Sequence, residues 1–175
     1  GSMNLGGTPR GTVELGNYVF VVPENNAQEL QVVNVTNPAS PVLAGSLDLS
    51  GTSNASAIAG FDSTVVIGRE ASSEVLTINV VTPTAPAVLD SVTFGGGVVN
   101  DLALGYTNTH VFVATSHGAG EFKIIDMFDS SGILSVGSEN LPSTLYGVSY
   151  DESRDLVYAM SGSNTQEFMV LSPQP

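Results

Sequence analysis

One short segment recurs four times in this chain at a period of about 45 residues, and the recurrence restricts what the chain can fold into. The copies read Glu29-Leu-Gln-Val-Val-Asn-Val35, Glu74-Val-Leu-Thr-Ile-Asn-Val80, Glu121-Phe-Lys-Ile-Ile-Asp-Met127 and Glu167-Phe-Met-Val-Leu171. A fixed period of this size means one supersecondary unit stacked on copies of itself, each burying a face it could not bury alone. The repeats run over about 16–60, 61–105, 106–150 and 151–175.

Each repeat carries the same succession of short strands. A first strand is expected at Thr12–Leu15, Ala57–Ala59, Asp101–Leu104 and Gly147–Tyr150. Turn residues follow, beginning Gly16-Asn17, Gly60, Gly105 and Asp151, and they favour a tight hairpin. The second strand is expected at Tyr18–Val22, Thr64–Gly68, His110–Ala114 and Leu156–Met160, and the glutamate-led segment is the third. Asn34 to Pro41 and Asn79 to Pro86 then share the pattern Asn-x-x-x-Pro-x-x-Pro, which ends the third strand because proline has no ladder N–H. The third repeat uses Asp129-Ser-Ser-Gly132 there instead. A fourth strand is expected at Val42–Leu47, Ala87–Phe94 and about 132–136.

Runs such as Val-Phe-Val-Val and Val-Val-Ile do not alternate with polar residues, so these strands need cover on both faces. No stretch holds a helical period with caps. Four short antiparallel strands per repeat, buried on both sides, predict an all-β chain of β-propeller blades, four per chain. A β-sandwich would not require copied units.

Composition narrows the function classes. Acidic residues outnumber basic ones 17 to 4, for a net charge of −13. Such a surface repels phosphate backbones and anionic lipid, which argues against nucleic-acid partners. With no cysteine there is no disulfide framework and no thiolate metal site. No apolar run approaches the roughly 20 residues needed to span a bilayer. Gly1-Ser2-Met3 reads as a cloning scar, which leaves 4–175 as one propeller domain or half-propeller.

Gly16-Asn-Tyr-Val-Phe-Val-Val22, Leu30-Gln-Val-Val-Asn-Val35 and Asn37-Pro-Ala-Ser-Pro-Val-Leu-Ala-Gly-Ser46 resemble the repeat of the LVIVD-repeat family of bacterial and archaeal proteins. Asn100-Asp-Leu-Ala-Leu104 with His110-Val-Phe-Val-Ala114 is similar to the first two strands of another copy. The resemblance departs in the third repeat, which lacks the prolines, and in the fourth, which stops after three strands. It implies a β-propeller on an exported or cell-surface protein, without a reaction, a cofactor or catalytic residues to carry over.

The fourth repeat ends at Ser172-Pro-Gln-Pro, while Asn4-Leu-Gly-Gly-Thr8 aligns with the end of the fourth strand elsewhere, Leu49-Ser-Gly-Thr52. The N-terminal segment is therefore expected to supply the missing outer strand of the last blade, with Asn4 and Leu5 beside Phe168 and Val170. Three closures are open: a four-bladed ring, an eight-bladed ring of two copies, or part of a longer propeller of roughly 7–8 blades. The two-copy ring is the favoured expectation.

The candidate site residues are few. Glu29, Glu74, Glu121 and Glu167 stand at equivalent points on successive blades and could ring a cation or ligand; an outward-pointing strand-start residue explains them equally, and that structural reading is favoured. Arg69 could anchor a carboxylate or pair with an acid. Asp151-x-Ser153-x-Asp155 has the oxygen-ligand spacing of a calcium loop but lacks its glycine and distal glutamate, which favours a hairpin tip. His110 and His117 are too few for a multi-histidine site. No Gly-x-Ser-x-Gly elbow accompanies them. A non-enzymatic extracellular module for adhesion or protein contact, self-association included, is the leading expectation. A carbohydrate-binding propeller, weakened by the lack of tryptophan, and a hydrolase with a site in the central channel are the alternatives.

Overall fold

Among the residues described by the computed structural model, 1–71, 74–128 and 132–173, fifteen strands form four antiparallel sheets. The first sheet holds β1 (Pro9–Leu15), β2 (Tyr18–Pro23), β3 (Leu30–Asn34) and β4 (Val42–Leu47). The second holds β5 (Ala55–Phe61), β6 (Thr64–Arg69), β7 (Glu74–Asn79) and β8 (Ala87–Thr93). The third holds β9 (Val99–Leu104), β10 (His110–Thr115), β11 (Phe122–Asp126) and β12 (Leu134–Glu139). The fourth has three strands, β13 (Leu145–Asp151), β14 (Leu156–Ser161) and β15 (Phe168–Leu171). Within each sheet the strands lie side by side in chain order, as in a propeller blade.

Local chemistry sets the corners. The first hairpin turns on Gly16 at φ 65°, and the others on non-glycine residues in the same left-handed region: Asp62, Thr107 with Asn108, and Asp155. Thr107 and Asn108 belong to a single 3-10 turn at Tyr106–Asn108. After the third strand of three blades the side chains of Asn34, Asn79 and Asp126 accept the N–H two residues on, at 2.9, 2.9 and 2.8 Å. These side-chain turns release the chain from the ladder before the loop. The 129–131 stretch lies outside the described residues.

The hairpin at Gly16-Asn17 joins the first and second strands of one sheet, so each blade begins one strand before the repeat bounds. The fourth strand of the third blade also starts later than expected, at Leu134, after Gly132 at φ 115°.

Alternate residues of each second strand face opposite neighbours, which is why these strands are apolar throughout. Phe20, Val22, Leu30 and Val32 pack against Val65, Ile67, Leu76 and Ile78 of blade two. Val66 and Val75 pack against Val111, Val113 and Ile125 of blade three. Phe112, Ala114 and Phe122 pack against Val148, Val157 and Ala159 of blade four. The inner strands follow the same arc, β1 on β5, β5 on β9 and β9 on β13. Among the described residues β13 and β1 do not pack as neighbours, and the arc is open between blades four and one. Accordingly the N-terminal segment does not complete the fourth sheet within one chain; Leu5 instead accepts a hydrogen bond from Gln31 Nε2 of blade one at 2.8 Å.

Candidate functional site

The glutamates that lead the third strands have one repeat position and three environments. Glu29 is fully buried, and its Oε2 accepts the Leu49 N–H at 3.0 Å. Glu121 is 6% exposed and accepts the Leu141 N–H at 2.8 Å. In both, the carboxylate caps the segment that crosses from the fourth strand to the next blade. An outward-pointing role is thereby corrected for these two residues, since each buried carboxylate accepts the backbone N–H of its crossing segment. Glu74 is half-buried and Glu167 is exposed. Among the described residues the four do not gather as a ring: Glu29 and Glu121 are turned into inter-blade junctions, Glu74 pairs with Arg69, and Glu167 is exposed.

Arg69, 6% exposed, ties the first junction together. Its Nη1 donates to Glu74 Oε2 at 2.8 Å, its Nη2 to the carbonyls of Ser50 at 2.7 Å and Ser53 at 2.8 Å, and its Nε to Ser53 at 3.1 Å. Glu29 Oε1, which has no hydrogen-bond partner, lies 3.7 Å from Nη2. The planar fork thus neutralises acids from two blades and holds the crossing segment. Of the two sequence readings for Arg69, the acid pair is the one observed. At the corresponding level of blade three, burial pushes the Lys123 ammonium below its ordinary range, partly offset by Glu121, and its Nζ sits 5.0 Å from the Phe94 ring centroid.

Asp151 and Asp155 are engaged in the last hairpin. Asp151 Oδ1 accepts Ser153 Oγ at 2.6 Å and the Ser153 and Arg154 N–H groups, while Oδ2 pairs with Arg154 Nη1 at 2.6 Å. The Ser153 hydroxyl and Arg154 hold its carboxyl below the ordinary range. Asp155 Oδ1 accepts the Tyr150 hydroxyl at 2.9 Å, and burial with this carboxylate pushes the phenol up to about 12. Among the described residues no three acidic or histidine side chains gather as a cation site. His110 Nδ1 lies 2.9 Å from Thr109 Oγ1, and His117 Nδ1 accepts the Ala119 N–H, so both serve their own loops.

Among the described residues, two openings and an apolar face offer places for a partner. A cavity of about 460 Å³ opens between blades three and four beside Tyr106, His110, Phe112, Tyr150 and Asp155. A second, of about 430 Å³, lies between the outer strand of blade three, at Gly137, Ser138 and Glu139, and the free edge of β15 at Val170 and Leu171. The face is the outer side of blade four. Here Tyr146 is 63% exposed, Met160 57%, Phe168 63% and Val170 52%, and the Tyr158 and Phe168 rings stack at 6.0 Å. Phe168 and Val170 were legible as closure residues; Tyr146, Tyr158 and Met160 were not named, although their alignment with blade one could have found them.

The LVIVD repeat model matches residues 11–49. No match is found among curated proteins. Among solved structures the chain is similar to the β-propeller domain of Cps50 (Swd1) from Myceliophteria thermophila, at TM-score 0.74 and 12% identity over 95% of this chain and 54% of that one. It is also similar to a Lactobacillus plantarum protein, at TM-score 0.81 and 11% identity over 95% and 51%. The computationally designed protein Ika4 matches at TM-score 0.69 and 13% identity, over 97% of this chain and 93% of that one. The chain therefore spans about half the length of the natural propellers it matches, and such low identities speak for the fold alone. The sheets, the match and the likeness agree: the chain is a β-propeller of four blades that carries an LVIVD repeat in its first blade.

Proposed function

We propose that this chain is a non-enzymatic protein-binding module of an exported or cell-surface bacterial or archaeal protein. The observation that carries the reading is the uncovered apolar face of blade four, formed by Tyr146, Tyr158, Met160, Phe168 and Val170. Exposed apolar patches on soluble chains mark interaction surfaces, and aromatic residues with methionine are enriched in them. The LVIVD match supports an exported setting, and the acidic surface supports solubility outside a nucleic-acid context. Among the described residues no helix is long and apolar enough to cross a membrane.

The test is retention of surface proteins from the source cells on the immobilised chain, compared with Phe168→Asp, alongside protease accessibility of the chain on intact cells. Retention that is lost in the variant, with the chain cleaved from outside, supports the reading. Turnover in a hydrolase panel, or an intracellular location, overturns it. A second reading, glycan binding, is favoured by the 460 Å³ cavity, where Tyr106 and Tyr150 offer rings and Asp155 an acceptor. A glycan array decides it: binding that Tyr106→Ala abolishes would move the function to that cavity.

A further inference from the structure

The repeat register places every residue of blade four against its counterpart in blade one. Pairings of β2 with β3 and of β14 with β15 make Tyr158, Met160, Phe168 and Val170 the equivalents of Phe20, Val22, Leu30 and Val32. Those four are 1, 0, 0 and 0% exposed, sealed by blade two. The blade-four set thus has the chemistry of an inter-blade face without the blade.

The complementary face is on blade one. Thr12, Glu14, Val19, Val21, Gln31 and Val33 occupy the positions that in blade two are Ile58, Gly60, Val65, Ile67, Leu76 and Ile78, all turned to the preceding blade. Thr12 and Glu14 are exposed and Val19 is half-buried, while Val21, Gln31 and Val33 are already buried in the single chain, where Leu5 bonds Gln31. The inner row is polar on both sides, with an acidic residue on each. Ser149 and Asp151 replace Val13 and Leu15 on the blade-four side, where Thr12 and Glu14 replace Ile58 and Gly60 on the other.

The segment before β1 supplies an independent observation. Leu49 joins the core beside Leu76, and four residues before it Gly45 approaches Pro83 and Thr84 so closely that a Cβ would collide. Leu5 bonds Gln31, the counterpart of Leu76, and four residues before it Gly1 meets Ala39 and Pro41 in the same way. Residues 1–5 therefore lie on blade one as the outer strand of blade one lies on blade two. They hold the place of an outer strand against blade one.

We propose that the face of blade four docks on blade one of a second copy, whose residues 1–5 add along β15 as the missing fourth strand, and that the reciprocal contact closes an eight-bladed ring with two-fold symmetry. The ring deepens the protein-binding reading, on which it rests. Four blades match about half of each of two natural propeller chains, so two arcs are the amount a ring of that size requires. Pairing would follow blade one, where Leu30 faces Leu47 and Val32 faces Gly45: Phe168 opposite Met3 and Val170 opposite Gly1 of the second copy. Glu167 would accept the Leu5 N–H as Glu29 accepts that of Leu49. These are backbone contacts, which makes the identity of residues 1–3 secondary, and they cover an edge strand that is otherwise open. A closed ring, rather than an open polymer, follows if both junctions are made at once.

The experiment is solution mass across a concentration series, with two variants. The chain is expected at twice its 18.0 kDa, and Phe168→Asp is expected to raise the dimer dissociation midpoint by more than about 100-fold. Phe168 is 63% exposed in the single chain, so this variant should fold. Because the chain has no cysteine, Met3→Cys with Phe168→Cys reports register directly: oxidation should yield a covalent dimer and no ladder. A single-chain mass throughout, a ladder of higher species, or a dimer indifferent to Phe168→Asp overturns the ring. A monomer that still retains another protein through Phe168 leaves the protein-binding reading standing; one that retains nothing overturns both.

Discussion

The junction between blades one and two and the open side of blade four are built from the same repeat positions and end in opposite states. At the first, Glu29 is buried with a backbone partner and an arginine; at the second, Glu167 is exposed. The difference lies in the neighbour. A carboxylate at this position becomes a structural cap only when a crossing segment presents an N–H and a following blade excludes water. The repeat therefore encodes half of each interface, and the other half comes from the next copy.

The largest expected effect breaks the comparison at its strongest point. Arg69→Met removes the cation shared by Glu29 and Glu74 and leaves the Ser50 and Ser53 carbonyls without donors. Loss of one partner from a buried ionic cluster costs about 3–5 kcal/mol, read as a fall in urea unfolding free energy. Arg154→Met removes the ion pair of an arginine whose side chain is 68% exposed, where solvent screening leaves no measurable loss to expect. Equal losses for the two variants would mean that Arg69 does not hold the junction.

A middle-sized effect sharpens the glutamate series. Glu121→Ala strands the Leu141 N–H near the blade three to four crossing and should cost about 1–3 kcal/mol. Under dilute, monomeric conditions Glu167→Ala should stay within about 0.5 kcal/mol of the parent, as surface changes do. If Glu167→Ala destabilises the dilute chain as much as Glu121→Ala does, the two positions do not differ as their burial indicates.

These contrasts also mark what could be read from residue order. Strand succession, blade type and the open last blade follow from local signals: the period, the Asn-x-x-x-Pro-x-x-Pro pattern and the apolar runs. The inward turn of Glu29 and Glu121 could not be read this way. Their partners Leu49 and Leu141 lie across the sheet and carry the bond on the backbone, which leaves no side-chain signature. The Arg69 cluster was half legible, since a lone arginine among many acids suggests an ion pair, yet its main partners are carbonyls. The repeat bounds at 16, 61, 106 and 151 fall at the hairpins between first and second strands, because a period read from residue order fixes the length of a repeat and not its phase. The apolar face of blade four is legible in Phe168 and Val170, and aligning Tyr158 and Met160 with Phe20 and Val22 extends it; that no blade covers it is visible only in the packing.

The smallest expected effect concerns Tyr150, whose repeat position in blade one is Glu14. The first has a preceding blade, with its ring 5.0 Å from that of Phe112, and the second has none and is exposed. Burial and the Asp155 carboxylate raise the Tyr150 phenol from 10.0 to about 12, so the folded chain keeps its proton after the unfolded chain has lost it. The contribution is fully present below the unfolded value and is lost as pH rises from about 10 through 12. Urea midpoints measured across that window should fall more steeply for the parent than for Tyr150→Phe, which has no phenol to ionise. Glu14→Gln, an exposed substitution that changes no phenol, should leave the profile in the same window unchanged. Parallel profiles for the parent and Tyr150→Phe would mean that the preceding blade does not shield this row, and the contrast between covered and uncovered blade faces would lose its electrostatic support.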